Sequence, residues 1–356
     1  MPTTPSSHSI PNTSTRKRAG DGFATRAIRA GQDPCALTGS TVIPVYQAAT
    51  FTQDAVGVDK GYDYSRTGNP TRIALERQLA DLEGARFGAA FASGMAAIMG
   101  ACATLRTGDH IVATSDCYGG TYRLFVDVLE RYGIATTFVD TSDTSAVRSA
   151  LQPNTKLLWV ETPTNPLELG ADIVVHSTDD PALFEVIAHH QNAVGAVPGP
   201  QDAYLTIRGA KTLALRMRQH EHNAIAVANW LTTRDDIAEV FYPGLASHPQ
   251  HELARRQQRG FGDVVSFRVR GGEERAWALA GSTRLFNLAV SLGGVESLIC
   301  SPSEMPHKTV PAERKTQLGI APDLLRLSIG LEDVEDLVDD LAAALNATAL
   351  LAESVA

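Results

Sequence analysis

Residues 157–186 read LLWVETPTNPLELGADIVVHSTDDPALFEV, two apolar β-branched runs with only twelve residues between Val160 and Ile173. Parallel neighbours in a sheet need a crossover of about a dozen residues or more, generally a helix. Pro163, Pro166 and Gly170 prevent a useful helix in this interval. The two runs are therefore not joined as an ordinary βαβ unit. Either they are not sheet neighbours, or the sheet is damaged here. Strands lost from the centre of a sheet would leave apolar edges exposed and lower solubility.

Elsewhere the chain keeps a regular rhythm. From Tyr62 onward helical patterns alternate with short β-branched runs, which predicts an α/β fold around a mostly parallel sheet. Asn69-Pro70-Thr71 opens a helix whose apolar residues Ile73, Leu75, Leu79 and Leu82 run towards Gly84. Strands are predicted over 88–91, 110–113, 136–139 and 156–160, with helices in SGMAAIMGACATL and over 121–132. Residues 209–231 read as one long amphipathic helix through Leu213, Met217, Ala224, Val227 and Leu231. After it come strands over 264–269 and 324–329 and a terminal helix over 334–351. The predicted division is a disordered tail (1–24), an N-terminal arm (25–61), a large domain (62–232) and a smaller C-terminal α+β domain (233–356). No internal repeat is present.

With 44% apolar residues in 356, the chain has enough for a sizeable core. A net charge of −9 and the lack of a long basic stripe argue against nucleic acid as a partner. Cys35, Cys102, Cys117 and Cys300 lack metal spacing, and such sparse usage fits free thiols in a cytoplasmic protein. Neither His220-Glu221-His222 nor His248-Pro249-Gln250-His251 has zinc-ligand spacing, so no metal is expected. No run is long and apolar enough to span a bilayer. The Ser/Thr/Pro-rich start, with Arg16, Lys17 and Arg18, reads as a disordered tail, and a transit peptide shares that composition.

Six short segments carry candidate chemistry. In FASGMAA a strand turns through Ser93 and Gly94 into a helix, whose unpaired N–H groups could hold a phosphate; Ser93 could equally be only an N-cap. In YDYSRTGNPTR, Tyr64 and Arg66 lie on one side of an extended segment, either gripping a phosphate or solvated in a loop. In DCYGGTYR the glycines allow close backbone approach while Tyr118 offers a face for stacking or for the core. WVETPTNP delivers polar residues at the carboxyl end of a strand, where open α/β sheets bind ligands. SLGGVESL is the fifth. The sixth is Arg326, whose place within an apolar strand demands an anionic partner, a substrate carboxylate or a structural acid.

The order of these segments resembles the Cys/Met-metabolism family of pyridoxal-phosphate enzymes, which includes cystathionine γ-synthase, cystathionine γ-lyase, methionine γ-lyase and O-acetylhomoserine sulfhydrylase. The resemblance runs from about Thr25 to Leu345 through YSRTGNPTR, SGMAA, YGGTYR, VETPTNP, GADIVVHS, YPGL, GFGDVVSF, SLGGVESL and RLSIGLED. It implies fold type I, like aspartate aminotransferase, with pyridoxal 5'-phosphate as cofactor. Tyr64 and Arg66 would reach the phosphate of a neighbouring subunit, and Ser93, Gly94 and Met95 would hold that phosphate. Tyr118 would stack on the ring, Asn165 and Ser177 would contact the cofactor, and Arg326, Ser291, Leu292, Glu296 and Arg123 would bind the amino-acid substrate. The shared site implies a homo-oligomer, usually a dimer of dimers. SLGGVESL is most similar to the cystathionine enzymes, and Gly120 stands where methionine γ-lyases tend to have a reactive Cys.

Within the family the chain is most similar to bacterial cystathionine γ-synthases, in which cysteine replaces the γ-substituent of an O-acyl-homoserine. Cystathionine γ-lyase and homocysteine synthase are the alternatives within the family. A non-catalytic cofactor-binding or oligomerisation homologue is the alternative of another class. Two family segments have no counterpart here. One carries an Asp that pairs with the pyridinium nitrogen; the other follows VVHS and carries the lysine that forms an imine with the cofactor. In this chain Ser177-Thr178 runs straight into Asp179-Asp180-Pro181, the start of a helix. Lys17, Lys60, Lys156, Lys211, Lys308 and Lys315 are the lysines present, none at the matching position. Impaired activity is the expectation.

Overall fold

The computed structural model describes residues 21–35, 37–161, 174–308 and 312–350. Helix α1 (Phe23–Arg29) lies against α2 (Pro70–Leu82), where Gln78 Nε2 donates to Ala27 O at 2.6 Å. Asn69 starts α2 by accepting from Thr71 N at 3.0 Å, and Pro70 occupies the first turn, where no N–H is needed. Then follow β1 (Phe87–Phe91), α3 (Gly94–Cys102), β2 (His110–Thr114) and α4 (Gly119–Arg123). A π turn over Leu124–Leu129 and a 3₁₀ turn over Glu130–Tyr132 extend α4 until Gly133, whose φ of 76° ends it. After β3 (Ala135–Val139), α5 (Thr144–Ala150) starts on the Asp143 side chain, and β4 (Thr155–Trp159) follows.

Strands β3, β2 and β4 form a parallel sheet with β2 at its centre. Every residue of β2 is buried, as a strand covered on both faces requires. Ile111, Ala113, Phe125, Leu129 and Ile134 form its core. The next strand, β5 (Val174–Thr178), does not join β4. It pairs antiparallel with β1, Phe91 opposite Val174 and Phe87 opposite Thr178. The two runs that flank the short connection are thus not sheet neighbours, and among the described residues parallel pairing of this α/β layer is confined to three strands.

Asp180 caps α6 (Pro181–Val194), which packs on β1 through Phe184 and Ile187. The single helix expected over 209–231 is two: α7 (Pro200–Ala210) and α8 (Leu213–Thr232). Thr212 leaves helical geometry at φ −106°, ψ 5°, and Arg216 Nη2 satisfies the Gly209 carbonyl at 2.8 Å, so the break is stabilised by a side chain. Beyond α8 come β6 (Ile237–Phe241), α9 (His251–Gln257), β7 (Val264–Val269), α10 (Gly272–Ser282), β8 (Asn287–Leu288), β9 (Leu298–Cys300), α11 (Ala312–Gln317), β10 (Leu324–Ser328) and α12 (Val334–Ala347). The terminal helix is therefore shorter than the 334–351 expected, and residue 351 lies outside the described residues. The five strands assemble as β6-β7-β10-β9-β8. One core, from Ala224 on α8 to Leu345 on α12, covers the apolar face of this sheet with α8, α10 and α12.

Candidate cofactor and substrate site

The SGM turn follows the carboxyl end of β1. Ser93 is extended at φ −159°, ψ 160°, and its Oγ accepts from Ala96 N at 3.2 Å, which makes it the N-cap of α3. Capping uses one lone pair and leaves the hydroxyl proton for an anion beside the helix N-terminus. Both roles fit one geometry.

The YGG turn follows the carboxyl end of β2, and Glu161, just past β4, fastens it. Glu161 Oε2 accepts the Tyr118 backbone N–H at 2.6 Å, while Oε1 accepts Thr121 Oγ1 at 2.9 Å and Trp159 Nε1 at 2.8 Å. The Tyr118 ring is left 56% exposed. A Cβ on Gly120 would run into that ring and lie 2.7 Å from the Met95 sulfur. Gly120 is thus where the SGM and YGG turns meet, and the missing side chain is what lets Tyr118 and Met95 come together. Arg123 is exposed on α4, with Nη1 folded back over Gly119.

Tyr64 and Arg66 lie together on an exposed loop, the guanidinium 5.6 Å from the ring centroid. Buried Arg72 holds this loop by donating to Ser65 O at 2.8 Å and Thr67 O at 3.0 Å. Arg66 Nη1 donates to Asn192 O at 2.8 Å, and its side chain packs at Gly195. Ala196 O in turn accepts from Ala92 N at 3.0 Å, so one short connection separates Arg66 from the Ser93 turn.

Asn165 lies outside the described residues. Ser177 stands opposite Gly88 at the amino end of β1, exposed, whereas Ser93 follows the carboxyl end. Five strand positions separate Gly88 from Ser93, on the order of 16 Å. The structure therefore does not bring Ser177 to the SGM turn, because β5 runs antiparallel to β1. Past Thr178, Asp179 Oδ1 accepts from Arg86 N at 2.8 Å and Asp180 caps α6.

Arg326 sits in the middle of β10, only 6% exposed, and donates through Nη2 to Ser291 O at 3.1 Å. Ser291 has φ 84°, the one described non-glycine residue in the left-handed region, and this conformation aims its carbonyl at the guanidinium. Leu292 is buried beneath the turn. Burial raises the Cys300 thiol pKa, and the adjacent Arg326 opposes that shift. Glu296 is exposed and folds back beside Gly294. Beyond Glu161 the rest of VETPTNP lies outside the described residues, and the role of Glu161 was not legible, because the donors Tyr118 and Thr121 come from a distant turn.

Lys60 pairs with Asp54, Lys211 ends α7, and Lys156 points into solvent from β4. Lys308 is exposed, and Lys315 Nζ donates to Ser303 O at 2.6 Å. Among the described residues no cluster of three or more His, Cys, Asp or Glu could hold a metal ion. No described helix is long and apolar enough to cross a membrane.

The family model described as "Cys/Met metabolism PLP-dependent enzyme" matches residues 24–177 and 173–346. A cystathionine gamma-synthase of Mycobacterium tuberculosis is 46% identical over 378 residues, 91% of this chain and 97% of the relative. That stretch is longer than the 356-residue chain itself. A cystathionine gamma-lyase of Bacillus subtilis is 42% identical over 360 residues, 86% of this chain and 95% of that one. The crystal structure of metB from Corynebacterium glutamicum superposes with a TM-score of 0.88 at 40% identity, covering 92% and 98% of the two chains. With the SGM, YGG and SLGG turns in place, the chain belongs to the Cys/Met-metabolism family of enzymes that use pyridoxal phosphate.

Proposed function

We infer that this chain is a transsulfuration enzyme of the cystathionine γ-synthase type that has lost two internal segments and, with them, covalent attachment of its cofactor and turnover. The parent reaction breaks the Cγ–O bond of an O-acyl-homoserine and forms a Cγ–S bond to cysteine. The acyl carboxylate leaves with the electron pair and the thiol gives up its proton; the cofactor, when bound, supplies the electron sink. Retained phosphate, ring-face and carboxylate contacts support the ancestry.

One observation carries the reading of lost function: β5 reverses against β1, so Ser177 ends far from Ser93 and is followed by Asp179 where the resemblance implies a lysine. The meeting of the two family matches at residues 173–177 supports the same break, as does an alignment longer than the chain. Exposed Tyr64 and Arg66 are read as contacts to the phosphate of a neighbouring copy in a dimer of dimers. The core boundary within α8 supports a division between a cofactor-binding part and an α+β part.

Purified protein loaded with pyridoxal phosphate and reduced with borohydride tests this. The expected result is no modified lysine by mass spectrometry and no cystathionine from O-succinylhomoserine and cysteine. A reduced adduct on Lys156, Lys308 or Lys315 would instead reveal a replacement nucleophile and sink the proposal.

A further inference from the structure

Behind the SLGG turn lies a buried polar chain. Arg326 and Ser328 share one face of β10 because strand side chains alternate, while Leu325 and Leu327 enter the core on the other. Ser328 Oγ accepts the Gly293 N–H at 2.9 Å and donates to Asp263 Oδ2 at 3.2 Å. Asp263, at the head of β7, is fully buried, and its Oδ1 has no hydrogen-bond partner among the described residues. A buried carboxylate is costly unless it is paired or hydrogen-bonded. Burial raises its pKa, and the Arg326 guanidinium on β10 opposes that shift.

The turn needs such a brace. Ser291 holds φ 84° and Gly293 φ 81°, and a non-glycine residue keeps that conformation only where its surroundings over-determine it. A second brace lies further along, where Glu332 accepts from Ser297 N and Ser297 Oγ, both at 2.8 Å. We propose that Asp263 is a positioning residue for the carboxylate-binding turn: through Ser328 it holds the Gly293 N–H, and so keeps the Ser291 carbonyl on Arg326 and the guanidinium oriented for an amino-acid α-carboxylate. This rests on reading Arg326 as the carboxylate fork.

Two probes that need no lysine separate the possibilities: N-(5'-phosphopyridoxyl)glycine and N-methylpyridoxamine 5'-phosphate, which differ only in the carboxylate. Calorimetry should show wild type preferring the first by about tenfold to a hundredfold, the range of a hydrogen bond to a charged group. Asp263→Leu and Ser328→Ala should lose that preference while still binding the second, and Gly293 amide exchange should speed up. Asp263→Asn and Ser328→Thr, which keep an acceptor and a hydroxyl, should restore both.

Equal weakening of both probes in the first two variants would assign Asp263 a structural role only and overturn the proposal. So would an unchanged preference with unchanged Gly293 exchange. Should Asp263→Leu fail to fold, Ser328→Ala and Asp263→Asn decide alone. No preference in wild type would topple the carboxylate reading itself, and the proposal with it, a failure visible before any substitution.

Discussion

Glu161 and Tyr118 are joined by a 2.6 Å hydrogen bond from the tyrosine backbone N–H to a carboxylate oxygen, so the end of β4 sets the turn that follows β2. The same carboxylate also receives Thr121 and Trp159. Glu161→Ala leaves these donors to water in a half-buried place, at a cost of about 1–2 kcal/mol in urea denaturation. Glu161→Gln, which keeps one acceptor, should cost less. A red shift of Trp159 emission, read against a Trp159→Phe background, should accompany the alanine variant alone; an unshifted spectrum counts against the link.

Gly120 predicts a sharper effect. An added Cβ would lie 2.7 Å from the Met95 sulfur and closer still to the Tyr118 ring, so both side chains must give way. Overpacking of this kind costs about 1–3 kcal/mol. Gly120→Ala should therefore lower the melting temperature, and Met95→Ala in the same chain should relieve part of the loss. Additive losses would mean that Met95 does not limit the space an added Cβ would need.

Helix starts were legible because their determinants are local. Asn69-Pro70, Ser93-Gly94 and Asp180-Pro181 each cap the helix that the sequence places there. The partner and direction of β5 were not, because alternation in VVHST is the same whichever strand lies beside it. The break at Thr212 escaped for a similar reason: apolar spacing continues across it, and the side chain that caps Gly209 belongs to the next helix. At the site, Arg326 declared itself as a charge in an apolar strand. Asp263 did not, since GFGDVVSF reads as a loop before a strand, and only the pairing of β7 with β10 sets it behind Ser328.

His110 gives a pH dependence with a defined sign. It starts β2, with Nδ1 2.8 Å from Thr155 Oγ1 on β4 and Nε2 2.9 Å from Thr137 Oγ1 on β3. Gln152 Nε2, a donor, also lies 3.2 Å from Nε2, so the neutral ring fits best with its proton on Nδ1. A second proton would face the amide, and burial lowers the pKa below the ordinary 6.5. The unfolded chain then binds the proton more readily. Stability from this group is full above the unfolded value and lost as pH falls through the folded one. Wild type should therefore lose more stability than His110→Asn between about pH 8 and about pH 5. Parallel curves from denaturation at each pH would refute that assignment.

Among the described residues strand β4 is an edge of its sheet, and its exposed apolar side chains bear on solubility. Leu158 is 49% exposed and Val160, just beyond the strand, 47%, although β2 at the centre of the same sheet is wholly buried. An edge that offers unpaired N–H and C=O groups beside apolar side chains invites pairing with another chain, and a lysine there blocks it. Leu158→Lys with Val160→Lys should raise the concentration at which light scattering detects aggregates, with little change in the melting temperature. The control is Lys156→Leu, which removes the one charge already on that strand and should lower the threshold. If neither substitution moves it, aggregation of this protein does not run through β4.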